Sequence, residues 1–289
     1  MPDVSIVIVN YNTREPLRRC LQSIQAERGT LDIEVIIVDN ASKDNSAAMV
    51  REVMPEAVLI EPGRNTWFSG GYNIGFQPAT SDTIYILNAD TRLQPNSLQT
   101  MLTYLKAHPQ VGAVTCRMEY PDGGLQQTCS RVPAYVDLLL GYTFLGVLFQ
   151  PWRDRRRQHM WYTGWDRAST HPIEVGPGSN LLCLRSVIEK IAGFDERLKL
   201  YFTEDDLCKK IIDAGYAIHF VGEALLLHEE RASTSQVWRL ASHIYFEDLL
   251  TFCRKYYGNI PATLLRVLVV PTRFAMGIAQ RWRGERSTL

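Results

Sequence analysis

The chain predicts an α/β fold: a mostly parallel central sheet flanked by helices, followed by a helical C-terminal extension. Three observations carry this expectation. Val4–Asn10 and residues 33–38 are near-continuous apolar, β-branched runs, the pattern of strands buried on both faces. Segments with apolar residues at helical spacing separate the strands, and alternating strands and helices imply parallel pairing through crossovers. After Ser233 the pattern is helical to the C-terminus.

In chain order, Val4–Asn10 is the first strand. Residues 14–25 bring Leu17, Cys20, Leu21 and Ile24 to one helical face, with Thr13 a candidate N-cap. Residues 33–38 form the second strand and 42–54 the second helix. A shorter strand at 57–60 precedes a helix that opens at Gly71 and runs to Phe76, and Thr83–Leu87 is the next strand. A helix at 98–108 leads into a strand at 111–116, and Asp122-Gly123-Gly124 signals a turn. Residues 131–170 differ in character: an apolar block at 138–149, a run with four arginines from Pro151 to Arg157, then Trp161, Tyr162 and Trp165. Regular structure resumes at 175–184, with helices at 185–191 and 204–214 and a strand at 217–221. Basic-aromatic stretches occur at Arg254-Lys255-Tyr256-Tyr257 and Arg281-Trp282-Arg283.

A length of 289 residues is ample for a buried core. The net charge of zero gives no global field that would draw a nucleic acid. The six cysteines show no CxxC pair and no zinc-like spacing, so they read as reduced thiols. The N-terminus lacks a basic region followed by an apolar stretch, and no apolar run reaches the ~20 residues of a membrane span. The expected location is cytoplasmic, with a peripheral contact at the inner face of the membrane left open.

The polar residues that end these strands carry the chemistry. Open α/β sheets bind ligands at the carboxyl edge of their strands. The fourth strand ends in Asn88-Ala89-Asp90, which reads either as a local turn or as an oxygen-donor site for a cation held mainly by a diphosphate. Asp39, at the second strand's tip, reads as an acceptor for a base or ribose. Ser42 or Asp44 beside it reads equally as a helix N-cap. Gly70-Gly71, before the expected third helix, reads as an anion cradle or as a tight turn. Glu204-Asp205-Asp206 suits either the dipole of a helix start or a general base at a helix mouth. His228, ending an apolar segment, is a structural histidine or a metal ligand. Neither GxGxxG nor a P-loop is present, which argues against dinucleotide and P-loop folds.

Together, Val4–Asn10 with Tyr11 and Asn12, Val38-Asp39-Asn40-Ala41-Ser42, Leu87-Asn88-Ala89-Asp90-Thr91, Gly193-Phe194-Asp195-Glu196, Thr203-Glu204-Asp205-Asp206-Leu207 and His228 resemble the family 2 inverting glycosyltransferases of the GT-A fold, most nearly the rhamnosyltransferase-like branch. The resemblance covers roughly residues 4–230 in order. It implies a GT-A domain over residues 1–230, with residues 1–116 as the nucleotide-sugar half and 117–230 as the acceptor half with its variable segment 131–170. Residues 231–289 would be the helical extension. It implies a nucleotide-sugar donor bound by Val9, Tyr11, Asp39, Asn65, Gly71, Asn73, Asn88 and Asp90, with dTDP-rhamnose the first expectation and UDP- or GDP-sugars the alternatives. A divalent cation, Mn²⁺ or Mg²⁺, would be held by Asp90 and His228. Asp205 would be the base that deprotonates an acceptor hydroxyl, with Glu204 in support. The acceptor would be a glycan or a lipid-linked glycan of a bacterial surface polysaccharide. The chain departs from the family pattern where Asn88 leads the DXD-like motif and where Glu204-Asp205-Asp206-Leu207 is shorter than the common Glu-Asp-x-Asp-Leu. Tyr72 also stands where many relatives have Asn.

Two competing classes are weighed against this. A nucleotidyltransferase would carry a glycine-rich basic signature after the first strand, and Asn10-Tyr11-Asn12-Thr13 is not one. A non-catalytic sugar-nucleotide-binding module would not need Asp90, Asp205 and His228 together. Segment 131–170 reads as a lid or dimer contact, or as a membrane contact through Arg153, Arg155, Arg156 and Arg157. The oligomeric state is open, a homodimer included.

Overall fold

The computed structural model describes residues 1–29, 31–229 and 238–274. The chain runs β1 (Val4–Asn10), α1 (Arg14–Glu27), β2 (Ile33–Asp39), α2 (Ser46–Val53), β3 (Val58–Ile60), α3 (Trp67–Phe76), β4 (Thr83–Leu87), β5 (Thr91–Leu93), α4 (Ser97–Ala107) and β6 (Val111–Glu119). It continues through α5 (Tyr135–Tyr142), α6 (Leu145–Leu148), α7 (Gln150–Met160), β7 (His171–Ile173), β8 (Asn180–Leu184), α8 (Arg185–Lys190), α9 (Thr203–Asp213), β9 (Ala217–His228), α10 (Trp238–Tyr257) and α11 (Asn259–Leu268).

The strands form one sheet in the order β3-β2-β1-β4-β8-β6-β9-β5, with β7 also paired to β9. The expected parallel pairing holds through β3-β2-β1-β4. Beyond it the sheet is mixed: β8 runs antiparallel to both β4 and β6, β6 and β9 are parallel, and β5 and β7 are antiparallel to β9. Apolar β-branched residues fill β1 and β2 because helices cover both sheet faces. Leu17 and Leu21 of α1, Met49 of α2 and Leu98 and Leu102 of α4 pack on one side. Tyr72 of α3, Val187 of α8 and Leu207 and Ile211 of α9 pack on the other. Each such side chain contributes about 1.5–3 kcal/mol when fully buried.

Several boundaries differ from the sequence reading, each for a local reason. The second helix starts at Ser46 rather than Ser42, because Asp44 accepts hydrogen bonds from the Ser46 amide and hydroxyl at 3.1 and 2.5 Å. The third starts at Trp67, before the glycines. Asn65 Oδ1 accepts the Trp67 amide at 2.8 Å, and the Asn40 side chain accepts the Thr66 amide and donates to the Trp67 carbonyl. The glycines therefore lie inside α3 instead of forming a loop before it. A Cβ on Gly71 would sit 2.8 Å from a Val9 methyl, so glycine lets the helix lie directly on β1. The strand read at 217–221 continues to His228 because its far half pairs with β6 and with β5, a three-residue strand absent from the sequence reading.

Segment 131–170 contains α5, α6 and α7. With α10 and α11, α5 forms a third cluster around Leu138, Leu198, Leu249, Phe252 and Leu265. This cap is tied to the sheet domain by charge. Asp248 of α10 accepts the Lys199, Leu200 and Tyr201 amides at 2.9–3.1 Å, fixing the loop that leads into α9. Lys255 lies 2.5 Å from Asp206 and 2.8 Å from Asp195, and Tyr256 donates to Asp206 at 2.7 Å. Asp206 is thus spent on holding α10. All six cysteines are free and buried, and burial pushes the thiols of Cys20, Cys116 and Cys129 up to about 12. Among the described residues no helix is long and apolar enough to cross a membrane. The Arg281-Trp282-Arg283 stretch lies outside the described residues.

Candidate active site

The carboxyl ends of the central strands open onto a cavity of about 360 Å³. Parallel register sets Asn10 opposite Asp39, so the loops after β1 and β2 meet. Asn10 donates to Asp39 at 2.7 Å and to the Ser42 hydroxyl at 3.0 Å, and its carbonyl accepts the Thr13 hydroxyl at 2.6 Å. The Thr13 side chain is thereby drawn away from any cap on α1. Asp39 also accepts the Ser42 amide and hydroxyl, at 3.0 and 2.6 Å. Three donors converge on this buried carboxylate, and it serves as the rivet of the two loops.

Cavity residues come from several places, among them Asn40 after β2, the Pro177-Gly178-Ser179 loop before β8 and Leu200-Tyr201 on the approach to α9. Val9 and Tyr11 stand at the end of β1, and Asn65, Trp67 and Phe68 at the start of α3. Asn88 and Asp90 follow β4. Glu204 opens α9, and His228 closes β9. Asp39, Gly71, Asn73 and Asp205 are not among the lining residues. Asp39 instead borders a separate recess with Lys43, Arg51 and Gly63. Asn73 clamps α3 to the Gly193-Phe194-Asp195-Glu196 turn: it donates to the Phe194 carbonyl and Glu196 at 3.0 Å and accepts the Phe194 amide at 2.8 Å.

The sheet brings Asp90 and His228 together across 138 positions of sequence. β5 starts one residue after Asp90 and pairs Thr91 with His228. The Glu229 amide then donates to the Asp90 carbonyl at 2.9 Å, and a forked Arg19–Glu229 ion pair pins that end of β9 to α1. His228 Nε2 lies 3.4 Å from Asp90 Oδ1. Its Nδ1 lies 2.9 Å from Gln126 Oε1, and the Gln126 amide donates to the His228 carbonyl at 2.8 Å. Gln126 Oε1 can only accept, so Nδ1 is the donor in this contact and Nε2 is the ring atom that faces Asp90. Gln126 escaped the sequence reading, since a lone glutamine after a turn carries no signal.

Under Asn88, the buried Tyr72 hydroxyl faces the Leu87 carbonyl at 3.0 Å and Asn88 Oδ1 at 3.2 Å. One hydroxyl hydrogen serves both oxygens, so the contact steadies the Asn88 side chain at the cavity edge while its amide oxygen keeps a second lone pair. Opposite, Thr203 donates to Glu204 at 2.8 Å, and burial raises the Glu204 carboxyl above its usual range. Asp205 is half-buried. Burial, then the neighbouring charges of Glu204 and Asp206, push its carboxyl well above the ordinary aspartate value.

One carboxylate and one imidazole suit a hard divalent cation whose remaining ligands are diphosphate oxygens and water. Among the described residues no group of three or more His, Cys, Asp or Glu is placed to hold a metal by itself. The donor set fits a cation that arrives with a phosphorylated substrate.

A family model described as glycosyl transferase family 2 matches residues 5–192. Among curated relatives, an N-acetylglucosaminyl-diphospho-decaprenol L-rhamnosyltransferase of Mycobacterium tuberculosis is 27% identical over 263 residues, covering 84% of this chain and 82% of the relative. The probable glycosyltransferase YdaM of Bacillus subtilis is 23% identical over 246 residues, covering 83% and 53%. Among solved structures, a Pyrobaculum calidifontis mannosyltransferase in complex with GDP-Man and Mn²⁺ superposes with a TM-score of 0.58 at 18% identity, over 93% of this chain and 69% of that one. GalNAc-T7 with UDP, GalNAc and Mn²⁺ gives 0.56 at 14% identity, over 78% and 43%. The likeness to these structures shows a shared GT-A-type fold.

Proposed function

The chain belongs to glycosyl transferase family 2, and from that premise we propose that it transfers a sugar, with inversion, from a nucleoside-diphosphate donor to a hydroxyl of a glycan or lipid-linked acceptor. The first choice of donor is dTDP-rhamnose, in the synthesis of a bacterial surface polysaccharide, and UDP- or GDP-sugars are the alternatives. One observation carries the reading: Asn88, Asp90 and His228 from strand ends and Glu204 from a helix start converge on a single cavity. The rhamnosyltransferase relative, aligned over most of both chains, supports the donor choice.

In this reading Asp90 and His228 hold the divalent cation, Mn²⁺ or Mg²⁺. When bound, the cation neutralises charge that builds on the departing nucleoside diphosphate. Tyr11, Val9 and Asn65 line the donor side, with Asp39 fixing the loops that present them. Asn88 offers its amide hydrogens to donor oxygens. Asp205, one residue behind the cavity-lining Glu204, takes the proton from the acceptor hydroxyl once the acceptor seats against that edge, and its raised pKa gives it more affinity for that proton than a free aspartate has. Glu204, beside it and facing the cavity, orients the acceptor and keeps the Asp205 pKa high. Attack from the face opposite the diphosphate inverts the anomeric centre.

The test is a panel of dTDP-, UDP- and GDP-sugars incubated with protein and Mn²⁺, followed by proton NMR of the product's anomeric coupling. Turnover of one donor to an inverted product, lost in Asp90→Ala and Asp205→Asn, is the expected result. Retention of configuration, or full activity in both variants, overturns the assignment.

A further inference from the structure

We propose that α6 and α7, with α11 alongside on the same helix α5, form a docking face for an anionic phospholipid bilayer. α7 has eleven residues and buries none of them. Around it, Val147 is 74% exposed, Leu148 66%, Trp152 52% and Phe149 51%. Contiguous exposure of this kind marks an interaction site rather than ordinary surface.

α11 shows the same property independently. Ala262, Leu265 and Val269 are buried against the cap, while Ile260, Leu264 and Val267, at helical spacing, face solvent and are followed by the exposed Val270 and Phe274. A helix that is apolar on two faces is normally covered on both. It reaches α5 through the Tyr135 hydroxyl, which donates to the Pro261 carbonyl at 3.0 Å.

Charge identifies the occupant. α7 carries four arginines against one aspartate. Arg156 makes a forked pair with Asp137, and Arg153 pairs with Asp154. Arg155 and Arg157 are exposed and make no ion pair among the described residues. Apolar side chains interleaved with unpaired arginines and a tryptophan match the boundary between anionic headgroups and acyl chains. A second copy meeting this face about a two-fold axis would set like charges against each other. The bilayer is therefore the better partner.

The patch is also well placed. α5 ends at Tyr142, whose ring packs 5.9 Å from Phe202 and 5.5 Å from Tyr245. Phe202 caps the helix that carries Glu204 and Asp205. The exposed run begins at Phe144, two residues past Tyr142. A lipid-carried acceptor would thus reach the base without leaving the membrane; this last point rests on the transferase reading, while the docking face does not.

The experiment is co-sedimentation of the purified protein with phosphatidylcholine vesicles, with and without phosphatidylglycerol. Binding is expected only with phosphatidylglycerol and falls as salt rises. Arg155→Gln/Arg157→Gln weakens it by roughly thirtyfold at low salt, the effect of two basic residues at a charged surface. Val147→Asp/Leu148→Asp abolishes it. Both pairs are exposed, so melting temperature and donor turnover with a water-soluble acceptor stay at the wild-type level. That separates loss of docking from failure of the transferase reading. Wild-type protein that stays in the supernatant overturns the proposal, as does equal binding by both variants. A dimer that Val147→Asp/Leu148→Asp disrupts, without any vesicle binding, assigns the face to a second copy instead.

Discussion

Gln126 and His228 hold each other by two hydrogen bonds, one from each end of the glutamine amide, at 2.9 Å to the ring and 2.8 Å to the backbone. The pair fixes the plane of the imidazole and keeps its Nδ1 as donor, while the other nitrogen faces Asp90. Partners of this kind, one step behind a metal ligand, typically change metal affinity 10–100-fold when removed. Gln126→Leu is therefore expected to raise the Mn²⁺ concentration for half-maximal activity by about that factor, with kcat at saturating metal little changed. Gln126→Glu, which keeps the acceptor, retains most of the affinity. Titration of activity with Mn²⁺ checks both, and an unchanged midpoint in Gln126→Leu would remove His228 from the metal site.

Asp205 should show its environment in a pH profile. A base must be ionised to act, and this carboxyl is held above its ordinary value by burial first and by Glu204 second. The rate should then fall on the acid side at a pH above the ~4 of a free aspartate. Glu204→Gln takes away one of the two raising charges and should move that acid limb to lower pH, though not to the free-aspartate value, because burial remains. Measuring kcat/KM against pH in both proteins decides the matter.

The same residue predicts a trade between stability and activity. An acid whose pKa is raised by folding contributes stability below its unfolded pKa, and that contribution is lost as pH rises through the folded value. Asp205→Asn avoids this loss. At pH 8 its melting temperature should exceed wild type by roughly 2 °C per kcal/mol relieved, and the gap should close at acidic pH. Transfer should meanwhile drop by about 10²–10⁴, the usual contribution of a positioned base. A variant that is inactive and no more stable than wild type at pH 8 would contradict the burial argument.

Gly75 gives a clean test of packing. A Cβ there would run into a methyl of the buried Val7 on the strand beneath. Gly75→Ala should cost about 1–3 kcal/mol in urea unfolding, the range for overpacked cores. Val7→Ala opens the space that the new methyl needs, so the double variant should be more stable than the sum of the two single losses. Strict additivity would show that helix and strand separate freely at this point.

The residues explain why some parts of the molecule were legible in sequence and others were not. β1, β2 and β4 were readable because strands buried on both faces leave unbroken Val/Ile runs, a local signal. Asp90 and His228 were readable as single polar ends of such runs. Their juxtaposition followed only from the family resemblance and not from any local pattern, because it depends on Thr91 pairing with His228 through a three-residue strand too short for any periodicity. Gly71 misled for a related reason: its partner is Val9, sixty-two positions away, and nothing near it in sequence distinguishes a packing glycine from an anion cradle. Asp206 sat within a recognisable acidic triplet. Only the fold shows that it belongs to Lys255 and Tyr256, while Glu204 alone of the three lines the cavity.

Lys255 ties α10 to both acidic segments beside the site. Its ammonium contacts Asp206, which is 1% exposed, and Asp195, which is 12% exposed. Arg197 hydrogen bonds first, and then Lys255, hold the Asp195 carboxyl well below the usual range. Lys255→Met removes the charge while keeping the length of the stem, and it leaves the buried Asp206 with the Tyr256 hydroxyl and, at 4.0 Å, the Lys210 ammonium. Breaking a buried pair in this way typically costs 3–5 kcal/mol, more than the pair itself contributes, because the orphaned charge stays desolvated. Urea denaturation at neutral pH should show a loss of that order. Asp206→Asn on top of Lys255→Met removes the stranded charge and should recover much of it, giving a strong non-additive coupling. The pH dependence has a definite sign. The depressed Asp195 carboxyl contributes stability above its unfolded pKa and loses it as pH falls through the folded value, so wild type and Lys255→Met should converge in stability on acidification. If they stay equally far apart from neutral pH down to acid, the clamp does not act through charge, and α10 is held by the packing of Leu249, Phe252 and Cys253 instead.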